Sequence, residues 1–169
     1  MTLQRAWLGV DDLDDAQAMA RSIELARLSD EHGNHPFGCV ITAGGQLLVE
    51  SENTVLTDLD PTGHAEIAAI RKACLARGNF DLSDCSLYTS CEPCWMCSTA
   101  IRRTGIARVV FALTSPTRSG GYSSQYQILG TPGLPGLGAP PEIVTGFMVE
   151  QSQAVWTAVN WPRPGAEPR

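Results

Sequence analysis

Lysine is almost missing from this chain: Lys72 is the single one in 169 residues, and Lys plus Arg total 12 against 18 Asp plus Glu. The formal net charge is −6 and the pI is near 4.9. Affinity for nucleic acid comes largely from clustered cations that neutralise phosphates, so a long polyanion is not the expected partner. Long apolar runs are also missing. None approaches the roughly 20 residues that a membrane span needs, so no membrane partner is expected. The first ten residues carry one Arg and no sustained apolar stretch before Asp11, Asp12, Asp14 and Asp15. That is unlike a secretory leader, and a soluble, cytoplasmic protein is the expectation. With 18% charged and 43% hydrophobic residues, the composition excludes a disordered chain, a collagen and a coiled coil.

What is present suits one domain spanning 1–169, with a core at about 11–159 and a tail from Asn160 whose prolines cannot continue a helix. The negative charge is concentrated before Pro61. Arg102, Arg103 and Arg108 form the one basic cluster, read as the solvated end of a helix whose dipole favours cations, in preference to a phosphate site. The six cysteines are not read as a disulfide framework, which belongs to short secreted chains. Cys39, Cys74 and Cys85 sit in apolar contexts and are read as small hydrophobes. Cys91, Cys94 and Cys97 fall three apart.

Apolar positions at helical spacing from Ala16 to Leu28 predict an amphipathic helix over 11–31, with aspartates at its start. Phe37–Thr42 and Leu47–Glu50, divided by Ala43-Gly44-Gly45, predict a β-hairpin. A second helix is expected from His64 to Arg77, stopped by Gly78. A strand over Cys85–Thr89, a helix over Cys94–Arg103 ended by Gly105, and a strand over Ala107–Leu113 have the rhythm of a parallel crossover. Ser115–Gly121 and Gly130–Pro141 read as loops, and Glu142–Val159 as a last strand and helix. The fold class is an α/β sandwich of three layers around a mixed sheet of about five strands.

His64-Ala65-Glu66 opens one helix and Pro93-Cys94-Trp95-Met96-Cys97 opens the next. A catalytic zinc keeps three protein ligands and leaves its fourth position to water; His64, Cys94 and Cys97 provide such a set. Cys94 and Cys97 share a helix face at a dipole end that favours thiolate, and Pro93 suits a position whose missing N–H costs nothing. Two thiolates nearly cancel the metal charge yet leave it able to make hydroxide from water near neutral pH. Glu66, two residues from His64, can reach the site without ligating and carry protons. A structural zinc is the plainer alternative. An iron–sulfur site through Cys91, Cys94 and Cys97 lacks the fourth cysteine followed by proline. Cys91 reads as a buried thiol on the strand-to-helix turn, in preference to a metal ligand.

The pairing of H-x-E with P-C-x-x-C, set in Asp60-Pro61-Thr62-Gly63-His64-Ala65-Glu66-Ile67, in Leu87-Tyr88-Thr89-Ser90-Cys91-Glu92-Pro93-Cys94-Trp95-Met96-Cys97 and before Arg108-Val109-Val110-Phe111, resembles the cytidine deaminase superfamily. Within it the chain is similar to the branch of guanine deaminase, cytosine deaminase and tRNA adenosine deaminase. The resemblance covers about Ala16 to Ala112. It implies a five-stranded sheet between helices, one zinc per subunit on His64, Cys94 and Cys97, and Glu66 as proton shuttle. It further implies that Asn53 hydrogen-bonds the substrate ring, that the Ala65 N–H holds the developing carbonyl oxygen, that Phe37 packs on the base, and that subunits pair as a homodimer. An amide suits a heterocycle edge because it both donates and accepts, although a turn Asn bonding its own backbone is the alternative.

A guanine site needs an acceptor facing the purine N1–H and 2-amino group, in relatives a carboxylate from the loop after the fourth strand or from the C-terminal segment. Here 113–130 contains no acid, and the loop offers Ser119-Gly120-Gly121-Tyr122-Ser123-Ser124-Gln125-Tyr126 instead. Tyr122 is a candidate substrate contact in a loop whose glycines permit a lid, and Trp156 and Trp161 are candidates to cap the pocket. His32 and His35 read as loop residues. The expected activity is hydrolytic deamination of a free heterocyclic base, guanine or a related aminopurine or triazine first and cytosine second. The alternatives are tRNA adenosine deamination, which the cation-free stretch 150–161 opposes, and a non-catalytic zinc module, which Glu66 opposes.

Overall fold

Helix α1 (Asp15–Glu31) starts later than the acidic run suggests, because Asp14 caps it. The Asp14 carboxylate accepts from the Gln17 N–H at 2.8 Å while the Gln17 side chain accepts from the Asp14 N–H at 2.9 Å. This reciprocal box satisfies two donors that the first turn cannot. The computed structural model describes residues 12–114 and 128–159. Tyr122, Trp161 and the loop 115–121 lie outside the described residues.

Strands β1 (Gly38–Ala43) and β2 (Gln46–Glu52) form the expected hairpin, turned by Gly44 and Gly45 at φ of 58° and 86°. Such values open the tight two-residue turns that only glycine adopts freely. Helix α2 (Ala65–Arg77), strand β3 (Cys85–Cys91), helix α3 (Trp95–Thr104), strand β4 (Arg108–Leu113), strand β5 (Glu142–Thr145) and helix α4 (Val149–Ala158) come next. The sheet order is β2-β1-β3-β4-β5. β1 is antiparallel to both neighbours, whereas β3, β4 and β5 run parallel.

Strand alternation divides the core between two faces. Cys39, Ile41, Leu87, Val109 and Phe111 pack with Ala65, Ala69, Ile70 and Ala73 of α2 and Ile101 of α3. Val40, Tyr88, Val110 and Ala112 pack with Ala18, Met19 and Ile23 of α1 and with Val155 of α4. The result is the predicted three-layer α/β/α sandwich around a mixed five-stranded sheet. Among the described residues no helix is long and apolar enough to cross a membrane.

Gly38 sets how closely α1 lies on β1. A Cβ there would fall 2.1 Å from the Ser22 carbonyl oxygen and 2.6 Å from Leu25 Cβ, which no side-chain rotation relieves. Gly38→Ala is therefore expected to lower stability by about 2–3 kcal/mol in urea denaturation. An unchanged midpoint would show that α1 can slide away without loss.

The basic cluster is not a solvated helix end. Only Arg103 is exposed. Arg108 pairs with Asp15 at 2.7 Å, and Tyr88 donates to the same carboxylate at 2.7 Å. These bonds, led by that to Arg108, hold the Asp15 carboxyl below the usual carboxylate range. Arg102 is 1% exposed at the last turn of α3. Its guanidinium donates to the carbonyls of Ile128 (2.7 Å), Thr131 (2.9 Å) and Gly138 (2.9 Å). Helix spacing shows where an Arg lies on a helix; it does not show that a distant loop will fold over it.

Candidate functional site

His64 and Cys94 are the N-caps of α2 and α3. A cap side chain commonly bonds back to its own helix. Neither does so here, and the two turn toward each other. His64 Nδ1 lies 3.5 Å from the Sγ of Cys94 and 3.5 Å from that of Cys97, and the two sulfurs are 3.5 Å apart. A tetrahedral zinc with Zn–S of about 2.3 Å and Zn–N of about 2.0 Å holds its ligand atoms roughly 3.4–3.8 Å apart. The triangle fits the metal, and among the described residues no fourth His, Cys, Asp or Glu joins the group.

The electrostatics suit a cation. The Cys94 thiol is pulled down to about 4, first by its hydrogen bond with the Cys97 thiol, against the opposing effect of burial, and then by that with His64. For the complementary reason the Cys97 thiol is pushed far up. His64 is raised by the same contact with Cys94, against burial. The three groups thus face one another with lone pairs that a divalent ion would take up.

Glu66, in the first turn of α2, is 5% exposed. Burial pushes its carboxyl up to about 7, against the lowering effect of His64. It stands outside the ligand triangle. A carboxyl poised near neutrality beside a metal centre can both take and give a proton.

Asn53 comes directly after β2 and is 1% exposed. Its Oδ1 accepts from the Val55 N–H at 3.1 Å, so the turn-Asn reading holds. Its Nδ2 is buried with no partner among the described residues. One half of the amide is fixed and the other half remains to donate. Ala65 is fully buried and brings an N–H at the start of α2, where the helix supplies no acceptor. The Phe37 ring meets that of Trp156 edge to face, centroids 5.5 Å apart, so α4 reaches the aromatic position ahead of β1. Tyr122 lies outside the described residues. Cys91 ends β3 as a buried thiol raised to about 12 by burial.

The sequence did not single out the groups that hold these parts. Ser29 Oγ lies 2.7 Å from the His35 carbonyl and 3.0 Å from that of Asn53. Asn34 Oδ1 accepts from the N–H groups of Leu56 and Thr57, each at 3.0 Å, and ties down the loop between Asn53 and His64. Ser152 donates to the Ser90 carbonyl at 2.8 Å and fastens α4 beside the end of β3. Asn34 sits just past a helix end, the one place where a side-chain clamp could have been suspected.

Comparison with known proteins agrees with this geometry. Residues 13–113 match the family model for the cytidine and deoxycytidylate deaminase zinc-binding region. The chain is 58% identical to guanine deaminase of Bacillus subtilis over 66 residues, which are 39% of this chain and 42% of that one. It is 37% identical to the tRNA-specific adenosine deaminase of Aquifex aeolicus over 67% of this chain and 74% of that one. The structure of guanine deaminase from Nitrosomonas europaea superimposes with a TM-score of 0.72 at 25% identity, covering 86% of this chain and 84% of that one. The match to the Bacillus enzyme thus spans less than half of either chain. A family match over most of the chain, joined to a ligand triangle of zinc dimensions, places this protein in the cytidine and deoxycytidylate deaminase family.

Proposed function

We propose that this chain hydrolytically deaminates a free heterocyclic base, guanine or a related aminopurine or triazine first and cytosine second. The observation that carries the reading is Asn53. Its buried Nδ2 is a donor without a partner among the described residues, which costs about 1–3 kcal/mol unless an acceptor arrives. A ring nitrogen or exocyclic oxygen of a flat heterocycle is such an acceptor.

When bound to His64, Cys94 and Cys97, zinc supplies Lewis acidity that makes water nucleophilic near neutral pH. The chain's own groups do the rest. Asn53 Nδ2 donates to the ring, and Phe37 with Trp156 forms an aromatic wall against the base. Glu66 takes one proton from the attacking water and gives it to a ring nitrogen, then takes the remaining proton of the added hydroxyl and gives it to the departing amine. The Ala65 N–H donates to the oxygen that replaces that amine. Water and an amidine carbon bearing NH2 become a ring carbonyl and ammonia. A homodimer with one zinc per subunit belongs to this reading.

Glu142 and Glu150 are exposed, and Glu142 lies 3.5 Å from Arg108. The test is ammonia release by zinc-loaded protein across guanine, cytosine, adenine, their nucleosides and aminotriazines, beside an adenosine-containing anticodon stem-loop. Turnover of a free base is expected. Turnover of the stem-loop alone would replace this reading with RNA editing, which the similarity to the Aquifex enzyme favours and the scarcity of cations opposes.

A further inference from the structure

Ser152 is the one residue of α4 that is fully buried, at 1% exposure, while Gln151, Gln153 and Ala154 beside it are exposed. A helix that only had to be covered would bury an apolar side chain there, since a hydroxyl adds little to packing and must find a partner. A hydrogen bond is directional where apolar contact is not, so it fixes where the helix stands. Ser152 finds its acceptor in the Ser90 carbonyl, at 2.8 Å. Trp156 lies one turn further along the same face of α4, so the bond sets the position of its ring.

Ser90 holds the other half of the aromatic pair as well. It is fully buried in β3, and its Oγ accepts from the Gly38 N–H at 3.2 Å. Gly38 directly follows Phe37, whose ring meets that of Trp156. Phe37 also packs against the cluster that contains Ala65, the residue after the ligand His64. From Ser90 the chain runs through Cys91, Glu92 and Pro93 to the ligand Cys94, and that run is tied down: the Glu92 N–H donates to the Leu113 carbonyl at 2.7 Å, and Ser98 Oγ donates to the Pro93 carbonyl at 3.2 Å. One strand residue thus carries two arms, one toward each ring, and is joined to a metal ligand by backbone with little freedom.

We propose that Ser152 and Ser90 form a clamp that sets the Phe37–Trp156 pair relative to the metal ligands, which makes both serines positioning residues for binding of the base. The inference rests on the deaminase reading above. An aromatic wall holds a flat ring equally well before and during reaction, so loosening the clamp weakens binding and spares the chemical step.

The test compares variants with the parent in zinc content, thermal midpoint and steady-state kinetics on whichever base the parent turns over. Ser152→Ala should raise KM about fivefold, the measure of one hydrogen bond, with kcat and zinc content unchanged and Tm lower by about 2–4 °C. Ser90→Ala, which cuts the Phe37 arm and keeps the carbonyl, should raise KM by a similar factor. Ala154→Gly, on the exposed side of the same helix, should lower Tm by as much and leave KM within about twofold of the parent. In a Trp156→Ala background, where the positioned ring is gone, Ser152→Ala should add no more than about twofold to KM. A role in stability alone would lower Tm in each case and produce neither the split between KM and kcat nor the dependence on Trp156. An unmoved KM in either serine variant, a loss carried by kcat, an equal rise in Ala154→Gly, or an undiminished effect without Trp156 would overturn the clamp and leave the deaminase reading standing. A zinc-loaded parent silent on every substrate would overturn both.

Discussion

Glu66→Gln is expected to keep zinc and lose turnover by about 10²- to 10⁴-fold, the usual measure of a lost general acid–base. Zinc should stay because the three ligand atoms form their triangle without the carboxylate. Turnover should go because an amide of the same shape cannot accept the proton of the attacking water or return it. The size of the effect comes from how Glu66 is held: buried, with its carboxyl near 7. Burial raises the carboxyl toward neutrality, where it can both accept and return a proton, whereas an exposed glutamate would be almost fully ionised. Glu66→Ala should behave alike in ammonia release and metal analysis. Retained turnover in either variant would end the mechanism, and lost zinc would place Glu66 among the ligands.

The second large effect is structural. Arg102→Met should lower stability by about 4 kcal/mol in urea denaturation, because the carbonyls of Ile128, Thr131 and Gly138 lose their donor while still covered. Arg102→Lys should recover little, since one ammonium cannot reach carbonyls spread around a planar fork. The effect should exceed that of Arg103→Met, one residue on and exposed, by several-fold. Equal effects would mean that the loop closes over α3 without the guanidinium.

Arg102 also marks where sequence reading stops. The helices were legible because their ends carry local signals: the aspartates ahead of α1, Gly78, Gly105, and the ligand-bearing starts at His64 and Cys94. The strands of the sheet were legible from short apolar runs between glycines. The metal triangle was legible because ligand chemistry restricts the residue types at each corner. Arg102 carried no such mark, since its partners lie 26–36 residues away in a loop of Gly and Pro. Gly38 looked like a strand glycine until α1 was seen to rest on it. Asn53 allowed two readings, and both hold because its two amide ends have different fates. Trp156 could be named as a pocket residue, but only the return of α4 shows that Phe37 is its neighbour.

That return has a consequence for how such a protein can change. The region matching the family model ends at 113, and the ligands, Glu66 and Asn53 all precede it. Trp156 comes from beyond it, on a helix held at the rim by Ser152. On the proposed reading, the base is therefore met from both stretches of chain, by Asn53 and Phe37 within the family region and by Trp156 beyond it. Exchange of the segment C-terminal to β4 would remake the Trp156 side of the aromatic wall and leave Glu66 and the ligand triangle where they are.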